Sequence, residues 1–75
     1  MPWTARELRI ALGRAAFVEL RQRGSHLRLR RIELDGSPRH VTLPLHSGDI
    51  APGTLRAILR QARLTEEEIR RLLSE

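Results

Sequence analysis

The sequence predicts an α+β domain of two layers, a three-stranded antiparallel sheet with helices on one of its faces. Three observations predict it. Two capping-box tetrapeptides, Thr4-Ala5-Arg6-Glu7 and Thr65-Glu66-Glu67-Glu68, each open an apolar stripe of helical period. Between them, three short runs alternate apolar and polar residues with period two. Gly24-Ser25 and Asp35-Gly36-Ser37-Pro38 separate those runs as tight turns.

The first helix follows Thr4, with Trp3 and Leu8 placed as a hydrophobic staple. Leu8, Ala11, Leu12 and Ala15 recur at i, i+3, i+4, i+7 as its buried stripe, and Arg6, Arg9 and Arg14 fall on the other side. The staple is a sufficient role for Trp3; stacking on a base is the competing one. In the first strand Val18 and Leu20 are expected to point inward, alternating with Phe17, Glu19, Arg21 and Arg23. In the second, Leu27 and Leu29 point inward and His26, Arg28 and Arg30 outward. Parity breaks at Arg31-Ile32, where a bulge or strand end is expected. The third strand is expected over His40 to Leu45, with Val41, Leu43 and Leu45 inward. His40, Thr42 and His46 then face outward, provided Pro44 lies at an edge or near the strand end. Ser47-Gly48-Asp49 reads as a loop. A second helix begins near Pro52-Gly53-Thr54 with Leu55, Ile58, Leu59 and Ala62 as its stripe, and a third, short helix follows Thr65, with Leu64 and Ile69 as staple and Leu72 and Leu73 completing its face.

The 75 residues are expected to form a single domain, residues 1–75, without internal repeats or linkers. A chain this short has no room for a deep catalytic cavity, so any active site must be a surface groove. Apolar residues make up 40% of the chain, and no run approaches the ~20 residues of a membrane span. The start, Met-Pro-Trp-Thr-Ala-Arg, leads into a helix without an apolar signal core, so the expected compartment is the cytoplasm and no membrane partner is expected. There is no cysteine, which excludes disulfides and thiolate zinc sites.

The net charge of +5 is unevenly spread. Residues 1–34 hold eight Arg against three Glu, residues 35–63 four Arg against two Asp, and residues 64–75 two Arg against four Glu. All fourteen basic residues are arginine. A high-GC coding bias, which the absence of Asn and Tyr also fits, accounts for Arg in place of Lys. It does not account for the acid-free run Arg21, Arg23, Arg28, Arg30, Arg31. A concentrated patch of guanidinium groups suits a polyanion.

Within that run, Gly24-Ser25-His26 delivers one imidazole from a tight turn. Imidazole is the usual side chain for moving protons near neutral pH. RNA cleavage by attack of the 2′-hydroxyl needs one proton removed there, one delivered to the 5′-leaving oxygen, and cations against the charge building on phosphorus. His26 can perform one proton transfer, with Arg23 and Arg28 as electrostatic partners; the bland alternative is a polar strand residue. His46 shares the outward parity. It is either a second proton-transfer or supporting group, or a turn residue bonded to its own loop. His40 reads as a solvated surface residue. Ser25 belongs to the turn, with a phosphate hydrogen bond as its functional option. The start of the second helix offers free N–H groups near Gly53-Thr54 with Arg56 one turn in. That is a candidate anion site or an ordinary helix start. Glu66, Glu67 and Glu68 suit a helix's first turn for dipole reasons alone, and no metal or other cofactor is expected.

At Leu20-Arg21-Gln22-Arg23-Gly24-Ser25-His26 the chain resembles the HicA-type (YcfA-like) mRNA interferase toxins. Val41-Thr42-Leu43-Pro44-Leu45-His46 is similar to that family's third strand, and Pro52 to Ala62 to its second helix. The resemblance runs from about Thr4 to Leu73. It implies a double-stranded-RNA-binding-like α-β-β-β-α fold and a metal-independent endoribonuclease that arrests translation by cutting mRNA. It also implies a HicB-type antitoxin that neutralises the toxin by covering the active site. The family's catalytic histidine falls on His26 and its second histidine on His46. By these lights Arg21, Arg23, Ser25, Arg28, Arg30, Thr54 and Arg56 are the expected RNA-binding residues. The chain departs from the family pattern at Ala16 and Arg63, where glycine is usual, and at Leu27, where a second histidine is frequent. The Arg31–Arg39 connection is also a few residues longer than usual. The alternative reading, from another class, is a non-catalytic module that holds double-stranded RNA by its shape and backbone. A third is an interaction domain that docks an acidic protein.

Overall fold

The computed structural model describes residues 3–75; Met1 and Pro2, the first two residues of the start Met-Pro-Trp-Thr-Ala-Arg, lie outside them. The order is α1 (Ala5–Arg14), β1 (Val18–Arg23), β2 (His26–Ile32), β3 (Pro38–Pro44), α2 (Pro52–Ala62) and α3 (Glu66–Leu73). The strands form one antiparallel sheet in the order β1-β2-β3. This is the expected α+β arrangement. α1 and α2 pack on β3, and α3 packs on α1.

Both capping boxes form. Thr4 Oγ1 accepts from the Glu7 N–H at 3.2 Å while Glu7 Oε1 accepts from the Thr4 N–H at 3.0 Å. Thr65 and Glu68 repeat the pattern at 3.1 and 2.8 Å. Four orphan helix donors are thereby satisfied. Helix α2 has no side-chain cap and instead begins with Pro52, whose fixed φ suits the first turn.

Leu27 and Leu29 of β2 and Val41 and Leu43 of β3 make the inner face of the sheet, each buried against Leu8, Ala11 and Leu12 of α1 and Leu55, Ile58 and Ala62 of α2. Trp3, Phe17, Ile50 and Ile69 close the core. Each buried Leu or Ile contributes about 1.5–3 kcal/mol. Among the described residues no helix is long and apolar enough to cross a membrane.

Strand β1 departs from expectation. Val18 and Leu20 do not face the core; they are 63% and 39% exposed, and Phe17, placed among the outward residues, is buried. The reason is a bulge between Glu19 and Arg21. Val18 pairs with outward Arg30 and Glu19 with inward Leu29, and beyond unpaired Leu20 the register resumes with Arg21 opposite outward Arg28. One extra residue exchanges the faces of everything after it. Val18 therefore lies on the outer face, away from the helix layer, and stays exposed. Strand β2 ends at Ile32 without a bulge of its own. Arg31 sits on its inner face because it lies over the Phe17 ring at 4.6 Å and donates to the Ala15 carbonyl at 3.0 Å. Strand β3 starts at Pro38, two residues earlier than expected, and ends at Pro44.

The two free edges differ. Along β3, the Thr42 N–H donates to Gln61 Oε1 of α2 at 3.0 Å, and prolines stand at both ends of the strand. Along β1 all six residues are exposed.

Candidate active site

Register alone assembles the outer face. Arg23 lies opposite His26 and Arg21 opposite Arg28 across one ladder; His26 lies opposite Pro44, Arg28 opposite Thr42 and Arg30 opposite His40 across the other. Cross-strand partners share a face, so Arg21, Arg23, His26, Arg28 and Arg30 stand together. The β1 bulge is what brings Arg21 and Arg23 there. Without it, the parity set by Val18 would turn both toward the helices.

The turn that presents His26 is a two-residue loop. Gly24 has φ 55°, while Ser25 keeps a negative φ. Glycine at the first central position is the pattern of a type II′ hairpin, whose twist matches the strands it joins. Gln22 Nε2 donates to the Gly24 carbonyl at 2.9 Å, and the Leu45 N–H donates to the Ser25 carbonyl at 2.5 Å. The imidazole therefore leaves a turn braced from both flanks.

His26, Arg21, Arg23, Arg28, Leu27 and Thr42 line one open depression of about 170 Å³. Its volume is below the ~300–1,000 Å³ of small-molecule pockets, which suits a segment of a polymer crossing the surface. Arg28 is aimed by its Nη1–H, which donates to Thr42 Oγ1 at 3.1 Å. Among the described residues none of Arg21, Arg23, Arg28 and Arg30 is in an ion pair. The paired arginines are elsewhere. Arg9 holds Glu19 through two hydrogen bonds of 2.6 and 2.7 Å, which keep the Glu19 carboxyl below its usual range. Arg31 and Arg39, facing one another on the inner side, share Glu33 at 2.8 and 3.5 Å. The outer face is thus cationic because Glu19 and Glu33 are committed to Arg9, Arg31 and Arg39.

The other expected site residues are placed apart from this depression. Ser25 lies in the turn beside it, and Arg30 is one cross-strand pair further along the same face. Thr54 sits in the first turn of α2 and Arg56 one turn in, where its guanidinium approaches to 3.9 Å from the place a Gly53 Cβ would occupy. The C-terminal end of α2 meets mid-β3 through Gln61 and Thr42. His46 is exposed beyond β3, with Nδ1 3.2 Å from the Ser47 carbonyl, and lines a separate depression with Ala5, Arg6, Arg9, Leu45 and Ser47. The two histidines do not share a depression. His40 is on the outer face but four residues from Pro44, roughly 13 Å along the strand from the level of His26.

Thr42 was legible as an outward residue but not as the group that orients Arg28, since that depends on the β2–β3 register. Among the described residues no three His, Asp or Glu side chains gather at a spacing that would hold a metal ion.

A family model described as the HicA toxin of bacterial toxin–antitoxin systems matches residues 5–64. No curated protein matches the chain.

Proposed function

This chain belongs to the HicA toxin family of bacterial toxin–antitoxin systems, whose toxins are generally ribonucleases, and from that membership we propose that it cuts mRNA at the outer face of its sheet with His26 as a proton-transfer group and without a metal ion. One observation carries the reading: a single exposed imidazole projects from a rigid turn into a depression walled by three arginines free of acidic partners among the described residues.

Arg21, Arg23 and Arg28 draw in the phosphodiester and stabilise the charge that develops on its non-bridging oxygens. The 2′-oxygen attacks phosphorus and gives up its proton, the P–O5′ bond breaks, and the leaving O5′ takes a proton. His26 performs one of these two transfers. The balance requires a second proton-transfer partner, either water or the substrate's own phosphate. His40, at its distance along β3, cannot reach the same phosphate. Arg30, Ser25, Thr54 and Arg56 extend the binding surface around this centre. A HicB-type antitoxin with acidic groups would silence the toxin by occupying the same arginines. The site of action is the cytoplasm, where mRNA is found.

The test is His26→Ala, compared with wild type on single-stranded RNA with and without EDTA. Wild type should cleave equally in both conditions, and the variant should lose at least 100-fold in rate while retaining salt-sensitive RNA binding. Loss of wild-type cleavage in EDTA would overturn the metal-free mechanism. Full activity of the variant would remove His26 from the chemistry. A wild type that binds RNA and leaves it intact would make the protein a binding module.

A further inference from the structure

We propose that the depression formed by Arg6, Leu45 and His46 takes a nucleotide adjacent to the scissile one, so that the RNA track runs off the sheet face, around the end of the sheet and onto α1. The inference rests on the reading of the His26 depression as the cleavage site, and it names a second subsite for the single-stranded substrate.

Position is the first argument. The Leu45 N–H to Ser25 carbonyl bond fastens the segment after β3 to the turn that delivers His26. His26 lies opposite Pro44, the last residue of β3, and His46 follows two residues further along the chain. The two depressions are therefore neighbours around one corner of the sheet, within reach of consecutive nucleotides of one strand.

Chemistry is the second. Ala5 and Leu45 give the depression an apolar floor, with Arg6 and His46 at its margin. Arg9 also lines it, but its guanidinium is gripped at two points by Glu19 and its charge is compensated. Arg6 is exposed and, among the described residues, in no ion pair, so it is the phosphate ligand. The Ser47 carbonyl can only accept, so in the 3.2 Å contact His46 Nδ1 is the donor. An exposed ring beside apolar Ala5 and Leu45 is a stacking surface for a base.

Shape is the third. A track that turns from the outer face of the sheet to the helix layer must bend sharply within two nucleotides. A rigid A-form duplex cannot follow that path, whereas an unpaired strand can. The track thus engages more of the single strand than the two nucleotides that flank the cut.

The experiment compares kcat/KM on a single-stranded octanucleotide and on a dinucleoside monophosphate. Wild type should prefer the octanucleotide. In Arg6→Ala and in His46→Ala that preference should fall about tenfold, through KM, with Arg6→Lys restoring part of it. Equal losses on both substrates would make either residue part of the chemistry and overturn the proposal, as would an unchanged preference. In an inactive His26→Ala background, Arg6→Ala should lower the salt slope of octanucleotide binding by about 0.7, one phosphate contact on a single strand. An unchanged slope refutes the subsite. If wild type cuts neither substrate, the cleavage reading has failed, and this binding measurement still decides the track by itself.

Discussion

Ala16 and Arg63 carry positive φ values of 73° and 56°, the only non-glycine residues among those described to do so. Each follows a helix in the same way. Phe17 N–H donates to the Leu12 carbonyl and Ala16 N–H to that of Gly13; Leu64 N–H donates to Leu59 and Arg63 N–H to Arg60. These are two Schellman closures with a side chain at the position that favours glycine. The sequence marked both positions as departures from the family's usual glycine, and the left-handed backbone is the physical reason glycine is usual there. A Cβ in this conformation costs about 1–2 kcal/mol, partly offset by the lower entropy of the unfolded chain. Ala16→Gly and Arg63→Gly should therefore each stabilise the protein by about 1 kcal/mol, measured as a rise in the urea midpoint at unchanged m-value. A fall in the midpoint would mean that these side chains hold more by contact than they lose by backbone strain.

Between the elements, β2 and β3 place Arg31 directly opposite Arg39, a like-charge pair that would repel without Glu33. Hydrogen bonding to Arg31, and beyond it the charge of Arg39, holds the Glu33 carboxyl below its usual range. A folded-state value below the unfolded one stabilises at pH above the unfolded value, near 4.5, and that stabilisation is lost as pH falls through the folded value. Thermal midpoints of wild type should thus drop below pH 4.5, and Glu33→Gln should lower the midpoint at pH 7 and flatten its fall in acid. A variant whose acid profile overlays wild type would assign that loss to Glu19, Asp35 or Glu68 instead. The elements themselves were legible to different degrees. Capping boxes and stripes placed the helices because those signals are local. The inward assignment of Val18 and Leu20 failed because a bulge is a property of the pair β1–β2, not of either strand. Arg21 and Arg23 came out on the predicted face nonetheless, through the one extra residue between them and Val18.

At the scale of the molecule, the charge map was readable from composition along the chain, but the separation of free from paired arginines was not. Arg31 belongs to the same acid-free run as Arg28 and Arg30, yet it faces the core and is bound to Glu33. The free outer-face set of Arg21, Arg23, Arg28 and Arg30 sets an expected salt response. With about 0.7 per phosphate contact on a single strand, the slope of log K against log salt for His26→Ala should be near about −1.4 for a trinucleotide, whose two phosphodiesters both lie on the sheet face. A slope near zero would show that the guanidinium groups do not meet phosphate. The unequal flanks of the sheet carry a last consequence. Gln61 and the two prolines plug one rim, and the other stands open. Two copies joined through their open rims would each present only a plugged side to a third, so zippering stops at a pair and cannot propagate into a fibre.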